Sequence, residues 1–411
     1  MYTILFWIII AILVLDFTLE KILDYLNRKN VSLQLPDEVK DIYNADEYKK
    51  QQEYFLTNQR FGAISGTFSF IIMMLMFFLF GFAFVDNIAR GMVENSILIA
   101  LIFFGILYFA NEILSMPFEI YHTFVIEQRF GFNKMTPGLF VTDTLKGWMM
   151  SIVLGGGIIA LLMLIYQYVG PYFWLLGWGV MAFISIFMMM FYSNLIVPLF
   201  NKQTPLEPGE LRDAIEAFCQ KAGFKLDNLY VIDGSKRTTK ANAYFSGLGA
   251  KKRIVLYDTL ISSLTTEEIV AVLAHEIGHY KKKHTRTMLL LSLINTGILF
   301  YILSLVLDNP AFAEALGSSI PSFQLSIIVF GVLYTPISTL LGIGINMLSR
   351  KNEYQADDFA KSFGLAQPLG EALKKLSVTS LSNLNPHPAY VFFHYSHPTL
   401  LQRLRSLRKQ F

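Results

Sequence analysis

Apolar residues in this chain gather in long blocks rather than in the single stripes of soluble amphipathic helices. The blocks lie near residues 2–19, 63–85, 96–116, 147–168, 171–199, 287–307 and 323–348. Crossing roughly 30 Å of hydrocarbon takes about 20 helical residues, so the blocks predict seven membrane-spanning helices. Gly155 to Gly157 and the pair Gly170-Pro171 interrupt the fourth and fifth blocks. Either marks a kink or a tight hairpin, and a count of six or eight fits the same pattern. The first block has no basic residue ahead of it and no small-residue cleavage site behind it, so it reads as a retained helix and not a secretory leader.

Two polar segments break the pattern, at 200–286 and 349–411. In the first, Tyr230-Val231-Ile232, Ala243-Tyr244-Phe245 and Arg253-Ile254-Val255-Leu256 are short β-prone runs separated by Gly, Lys and Ser, which predict a small sheet or hairpin. Thr265 and Glu268 then form a candidate capping box, and Ile269, Val270, Val272 and Leu273 supply one apolar side. An amphipathic helix therefore runs into residues 275–279. The chain divides into 1–199, five spanning helices with their loops; 200–286, the first polar segment; 287–348, spanning helices six and seven; and 349–411, the second polar segment.

Composition agrees with the blocks, since 54% of residues are hydrophobic and only 16% charged. Basic residues set the orientation. Lys21, Arg28, Lys29, Lys40, Lys49, Lys50 and Arg60 follow the first block, Arg129, Lys134 and Lys146 follow the third, and larger sets follow the fifth and seventh. The other connections are nearly free of Lys and Arg, apart from Arg90. By the positive-inside rule both polar segments face the cytoplasm. Lys281 to Lys283 and Arg286 lead straight into the sixth block and read as a juxtamembrane anchor, with no nucleic-acid partner. Cys219 is the single cysteine, so an intrachain disulfide and a cysteine-based metal site are both excluded. In the helical pattern LRDAIEAFCQ it reads as a small buried hydrophobe.

The chemistry must then come from His, Glu and Asp, and residues 275–279 read HEIGH. Residues four apart on a helix have Cβ atoms roughly 5–6 Å apart. His275 and His279 can thus share one zinc ion, with Glu276 beside its open position as general base. A catalytic zinc takes three protein ligands and a water. Glu353 is the candidate third ligand, and Asp357 lies on the same helical face one turn later, placed to orient a ligand imidazole.

Four motifs in this order, HEIGH, Glu353 to Asp357, Asn242-Ala243-Tyr244-Phe245-Ser246-Gly247 and Ser396-His397-Pro398, together with the segment Glu119 to Gly131, resemble the integral-membrane CAAX prenyl protease family, type I. These are the zinc enzymes that mature farnesylated a-factor and prelamin A. The resemblance implies a fold class: an all-α multi-pass membrane protein, with about seven helices around a water-filled chamber and a small α+β zinc-peptidase portion. It also implies one zinc at the cytoplasmic end, a substrate strand held by Asn242 and Ala243, and oxyanion stabilisation by His397. Arg403 would orient His397 or bind substrate. Read from its neighbours alone, His397 is equally a cap residue before Pro398, which suits the first turn of a terminal helix. His387 and His394 read as solvated loop residues, while His284 and His122 stay unassigned.

Asn111, Glu112, Asn295 and Asn346 lie inside apolar blocks and need a partner or water. The expected activity is a zinc metalloendopeptidase that acts as a monomer in the lipid bilayer on peptide or protein substrates. By resemblance these carry a prenylated C-terminal CAAX sequence. A member from a host that does not prenylate, such as a bacterium, would instead serve membrane-protein quality control. A transporter, a channel or a non-catalytic metal scaffold also accounts for the membrane half, but leaves HEIGH and Glu353 as coincidence. The compartment follows the host: a bacterial inner membrane, or the endoplasmic reticulum, whose basic retrieval tails Arg408-Lys409-Gln410-Phe411 resembles.

Overall fold

The computed structural model describes residues 3–31, 39–40, 44–226, 228–246 and 253–409. Gly247 of the Asn242 motif and the tail residues Gln410 and Phe411 lie outside them. The chain is mainly helical, and five helical stretches are long and apolar enough to cross a membrane: Ala45–Phe78, Ser96–Phe130, Pro137–Phe200, His284–Ser304 and Phe323–Ser362. The third contains both the fourth and fifth predicted spans, as helices Gly156–Val169 and Phe173–Leu195 that pack on each other. Gly170, at φ +58°, and Pro171 make the turn between them, which resolves that break as a hairpin. At the other break, Ser151–Gly155 forms a π-helical turn inside a continuous helix, with no reversal of the chain. The first predicted span forms helix Ile4–Lys29, capped by Thr3. Asp16, Glu20 and Lys21 keep it out of the apolar group.

Between and after these stretches the polar segments form a four-stranded sheet and several helices. The strands are β1 (Gln203–Pro205), β2 (Leu229–Ile232), β3 (Ala243–Ser246) and β4 (Arg253–Tyr257), in the order β1-β2-β4-β3. β2 and β4 run parallel, with Leu229 opposite Ile254, while β3 pairs antiparallel with β4, with Ala243 opposite Leu256. β3 is thus an edge strand among the described residues. The three predicted runs match β2, β3 and β4. β1 was not expected, because three residues ending in proline carry no strand period and suit only an edge.

Among the described residues two large apolar cores result, beside two small clusters around Leu384 and Leu404 and around Phe130 and Phe132. One joins the ends of the spanning helices remote from HEIGH, through Phe6, Phe77, Phe103, Phe173, Phe300 and Phe323. The other lies under the sheet and joins Ile215, Leu256, Ile269, Leu273, Ile277 and Leu369. Cys219 is buried in this second core, as expected.

Three of the four polar residues singled out within the apolar blocks find protein partners. Glu112 Oε2 accepts from Trp148 Nε1 at 2.8 Å, Asn295 Oδ1 accepts from the Tyr334 hydroxyl at 3.2 Å, and Asn346 Nδ2 donates to the Phe393 carbonyl at 2.8 Å. His387 and His394 are not loop residues. His387 caps helix Pro388–His394, its backbone N–H donating to Asn27 Oδ1 at 3.0 Å, and His394 ends that helix 3.4 Å from Glu20. Both tie the second polar segment to the first helix, a long-range docking that a local reading does not reveal.

Candidate metal centre

The HEIGH helix, Thr266–Lys281, starts at the predicted box: Thr265 Oγ1 accepts from the Glu268 N–H at 3.3 Å, and Glu268 Oε2 accepts from the Thr265 N–H at 2.8 Å. Lys375 bonds Glu268, and although burial opposes ionisation, Lys375 and Thr265 hold that carboxyl below its usual range. Ile269, Ala271, Leu273, Ala274 and Ile277 are buried against the second core, which fixes the rotation of the helix and sends His275 and His279 toward the long helix Phe323–Ser362.

Gly278 sets the distance between those helices. A Cβ there would meet Ala356 Cα and Phe359 Cβ at 3.1 Å and the Ala356 carbonyl at 3.2 Å, so a side chain would hold the helices apart. The contact lies between the two histidines on one helix and between Glu353 and Phe359 on the other. Close approach is what lets Glu353 reach both imidazoles.

Glu353 Oε2 lies 3.4 Å from His275 Nε2, Glu353 Oε1 lies 3.2 Å from His279 Nε2, and the two Nε2 atoms are 3.1 Å apart. One ligand atom from each residue falls within 4.8 Å of the others. Glu353 Oε2 is buried without a hydrogen-bond partner. A buried carboxylate whose two oxygens each face an imidazole lone pair, one of them without a hydrogen bond, is costly unless a cation completes the group. Two imidazole nitrogens and one carboxylate oxygen, with no thiolate, suit a divalent ion held by three protein ligands.

Asp357 orients His275: its Oδ1 lies 2.8 Å from Nδ1, which leaves Nε2 to face Glu353. Burial works against a charged His275, but Asp357 and Glu353 outweigh it, and the imidazole pKa stays above its ordinary value. Arg403, on the terminal helix Leu400–Arg408, donates from Nε to Asp357 Oδ2 at 2.9 Å and from Nη2 to Oδ1 at 2.6 Å, with Nη1 3.6 Å from Glu353 Oε2. The described contacts of Arg403 join it to the carboxylates and to His275, and none reaches His397. His397 is 63% exposed in its side chain, with Nε2 3.3 Å from Glu353 Oε1. Glu276 opens on a cleft of about 210 Å³ that it shares with Phe245, His279, Thr285 and Asn352.

That cleft adjoins a cavity of about 820 Å³, since Phe245 and Thr285 line both. Asn242, Tyr192, Tyr244 and Tyr257 line the larger one. The Asn242 carbonyl accepts from the Tyr257 N–H at 3.1 Å, making these two a hydrogen-bonded pair. By the antiparallel alternation, the backbone groups of Ala243 and Phe245 then point away from β4, toward the open edge. The Asn242 side chain accepts from the Ala243 N–H at 2.8 Å.

The structure adds residues that motif reading passed over. Lys240, two residues before Asn242, donates to Glu127 Oε2 at 2.7 Å and to the Tyr54 hydroxyl at 2.9 Å, and stands 4.4 Å from the centre of the Phe132 ring. Glu127 ends a π-helical turn, His122–Glu127, so a membrane helix grips the chain just ahead of the edge strand. The spacing of Lys240 from Asn242 was the only local signal. His284 packs beside His279, with the two Nδ1 atoms 3.1 Å apart.

Comparison with known proteins matches this arrangement along the whole chain. Residues 24–202 match a family described as CAAX prenyl protease N-terminal, five membrane helices, and residues 205–410 match peptidase family M48. The CAAX prenyl protease 1 homolog of Arabidopsis thaliana is 42% identical over 315 residues, covering 76% of this chain and 74% of that protein. CAAX prenyl protease 1 of Saccharomyces cerevisiae is 39% identical over 327 residues, 75% of this chain and 72% of its own. The Homo sapiens homolog is 30% identical over 420 residues, 91% and 88% of the two chains. The crystal structure of S. mikatae Ste24p superposes with a TM-score of 0.93 at 32% identity, over 99% of this chain and 100% of that one. The chain belongs to the CAAX prenyl protease 1 family, within peptidase family M48. It is a membrane-embedded metallopeptidase, and the transporter and scaffold readings fall away.

Proposed function

We propose that this metallopeptidase is a zinc endopeptidase that cuts prenylated C-terminal CAAX sequences, with His275, His279 and Glu353 as its three metal ligands. The observation that carries the reading is the buried Glu353 carboxylate, whose Oε2 makes no hydrogen bond and whose two oxygens lie 3.4 Å and 3.2 Å from the Nε2 atoms of His275 and His279. Bound there, zinc supplies a Lewis acid for the scissile carbonyl and an acidified water. Glu276 takes the proton of the attacking water and delivers it to the leaving amine. His397, exposed on the open side of Glu353, donates to the developing oxyanion. Asp357, clamped by Arg403, keeps His275 in the tautomer whose Nε2 is free. Arg403 therefore acts through Asp357, and the reading gives it no direct substrate contact.

Substrate adds to the edge of β3 as an extended strand beside Asn242 and Ala243, drawing its affinity from main-chain hydrogen bonds. The 820 Å³ cavity along that edge supports this, as does its continuity with the cleft of Glu276. The seven spanning helices of the sequence reading enclose a chamber in this view. The apolar windows of the five long apolar stretches are only 6–17% buried within the protein, which supports a hollow middle between two packed ends. The basic connections support a cytoplasmic face for 200–286 and 349–411, the two catalytic segments. Every group of the centre comes from one chain, which supports action as a monomer.

The test uses purified protein in detergent with matched farnesylated and unmodified CAAX peptides. Cleavage after the modified cysteine, faster with the farnesyl group, is expected; equal rates on both peptides overturn the prenyl specificity. Elemental analysis should find close to one zinc per chain, mostly lost in Glu353→Ala. Full zinc in that variant overturns the ligand assignment.

A further inference from the structure

We propose that His284 and Gln355 position His279 for the metal through an uncharged relay, the counterpart of the charged clamp on His275. The proposal rests on the metal reading above. His284 is the first residue of helix His284–Ser304 and is buried. On an uninterrupted helix a residue five places after His279 would point about 140° away from it. The chain instead turns at Lys283, at φ +62°, and restarts as a new helix, which brings His284 back against His279. Their rings lie 5.1 Å apart between centroids at 73°, and their Nδ1 atoms are 3.1 Å apart.

Hydrogen-bond logic then assigns each proton. Gln355 Oε1 lies 2.8 Å from His284 Nε2 and can only accept, so Nε2 carries the proton of neutral His284. Its Nδ1 is left as an acceptor. Between two facing Nδ1 atoms one must donate, so His279 carries its proton on Nδ1 and presents the Nε2 lone pair toward Glu353. Gln355 thus sets the tautomer of His284, and His284 sets that of His279. Gln355 comes from the long helix that also bears Glu353 and Asp357, so one helix supplies a ligand and both orienting chains.

The two imidazoles differ in what stands behind them. His275 has a carboxylate, itself held by Arg403, whereas His279 has a neutral imidazole and an amide. Groups that orient metal ligands typically change metal affinity by about 10–100-fold when removed. A merely space-filling His284 would affect folding instead.

The experiment measures the zinc dissociation constant of chelator-stripped full-length protein by competition with a zinc-binding dye, alongside the unfolding temperature of the metal-free form. His284→Leu is expected to weaken zinc about 10–100-fold with little change in that temperature. His284→Asn, whose Oδ1 stands where Nδ1 stood, should recover much of the loss. Gln355→Leu should weaken zinc less than His284→Leu. Gln355→Glu, a stronger acceptor for the His284 proton, should bind at least as tightly as the parent. Unaltered affinity in His284→Leu and Gln355→Leu overturns the relay. So does a loss matched by a fall in metal-free stability and not recovered by His284→Asn. A parent protein that binds no zinc defeats the metal reading itself, which keeps the two failures apart.

Discussion

The two large cores of this protein answer to different solvents. The remote core closes the spanning helices with rings, among them Phe6, Phe77, Phe103 and Phe323, around a single buried carboxylate. That group, Asp86, accepts from Gln324 Nε2 at 2.5 Å and from Arg90 Nε at 2.7 Å. Toward the metal centre the spanning stretches pack sparsely, and residues such as Leu290 and Leu340 are exposed because lipid accepts them. The catalytic end is the reverse. The HEIGH helix and the long helix touch at a distance that excludes a methyl group at Gly278, and the buried His275 and Asp357 are hydrogen-bonded to each other while Glu353 faces the metal position. Sparse packing tolerates change, whereas paired, close-packed polar groups do not.

Substitutions can break that contrast, beginning with the chemistry. Glu276→Gln should retain zinc and fold yet lose peptide hydrolysis by several orders of magnitude, because one carboxylate acts as both base and acid. Near-parental turnover would show that the catalytic end is not as exacting as its packing implies. His397→Ala should lower kcat by roughly 10²–10³ with little change in substrate affinity, since its hydrogen bond forms mainly in the transition state. A defect confined to affinity would make it a substrate-binding residue.

Two smaller effects sharpen the comparison with the same kind of residue on both sides. Gly278→Ala puts a methyl group 3.1 Å from the long helix, and should cost about 1–3 kcal/mol and weaken zinc binding together. Gly342→Ala lies in the spanning part of that long helix with nothing within 4 Å. It should leave zinc unchanged and stabilise the helix by up to about 1 kcal/mol. Unfolding temperature and metal content of the two variants, side by side, are the measurement. Equal effects would abolish the distinction between the regions.

Some of this protein was determined by the sequence alone, because the signals are local. Block length measures the bilayer, basic loops report the orientation proposed here, and the i, i+4 pairs His275–His279 and Glu353–Asp357 share a helical face however the chain folds. The strands β2 to β4 follow from β-prone runs of a few residues, whereas Gly170-Pro171 marks a break that only the structure resolves as a hairpin. Tertiary structure decided which distant groups meet. Asp357 reaches His275 across 82 positions, Gln355 reaches His284 across 71, Lys240 reaches Glu127 across 113, and Arg403 reaches Asp357 across 46. Which group each of them meets arises from the packing of separate elements. Asp357 meets His275 through the approach of two helices that Gly278 permits, and Gln355 meets His284 through the turn at Lys283. Lys240 meets Glu127 through the docking of a membrane helix ahead of β3, and Arg403 meets Asp357 through the terminal helix. Local sequence encodes which face a side chain occupies; the packing of one element against another determines what that face touches.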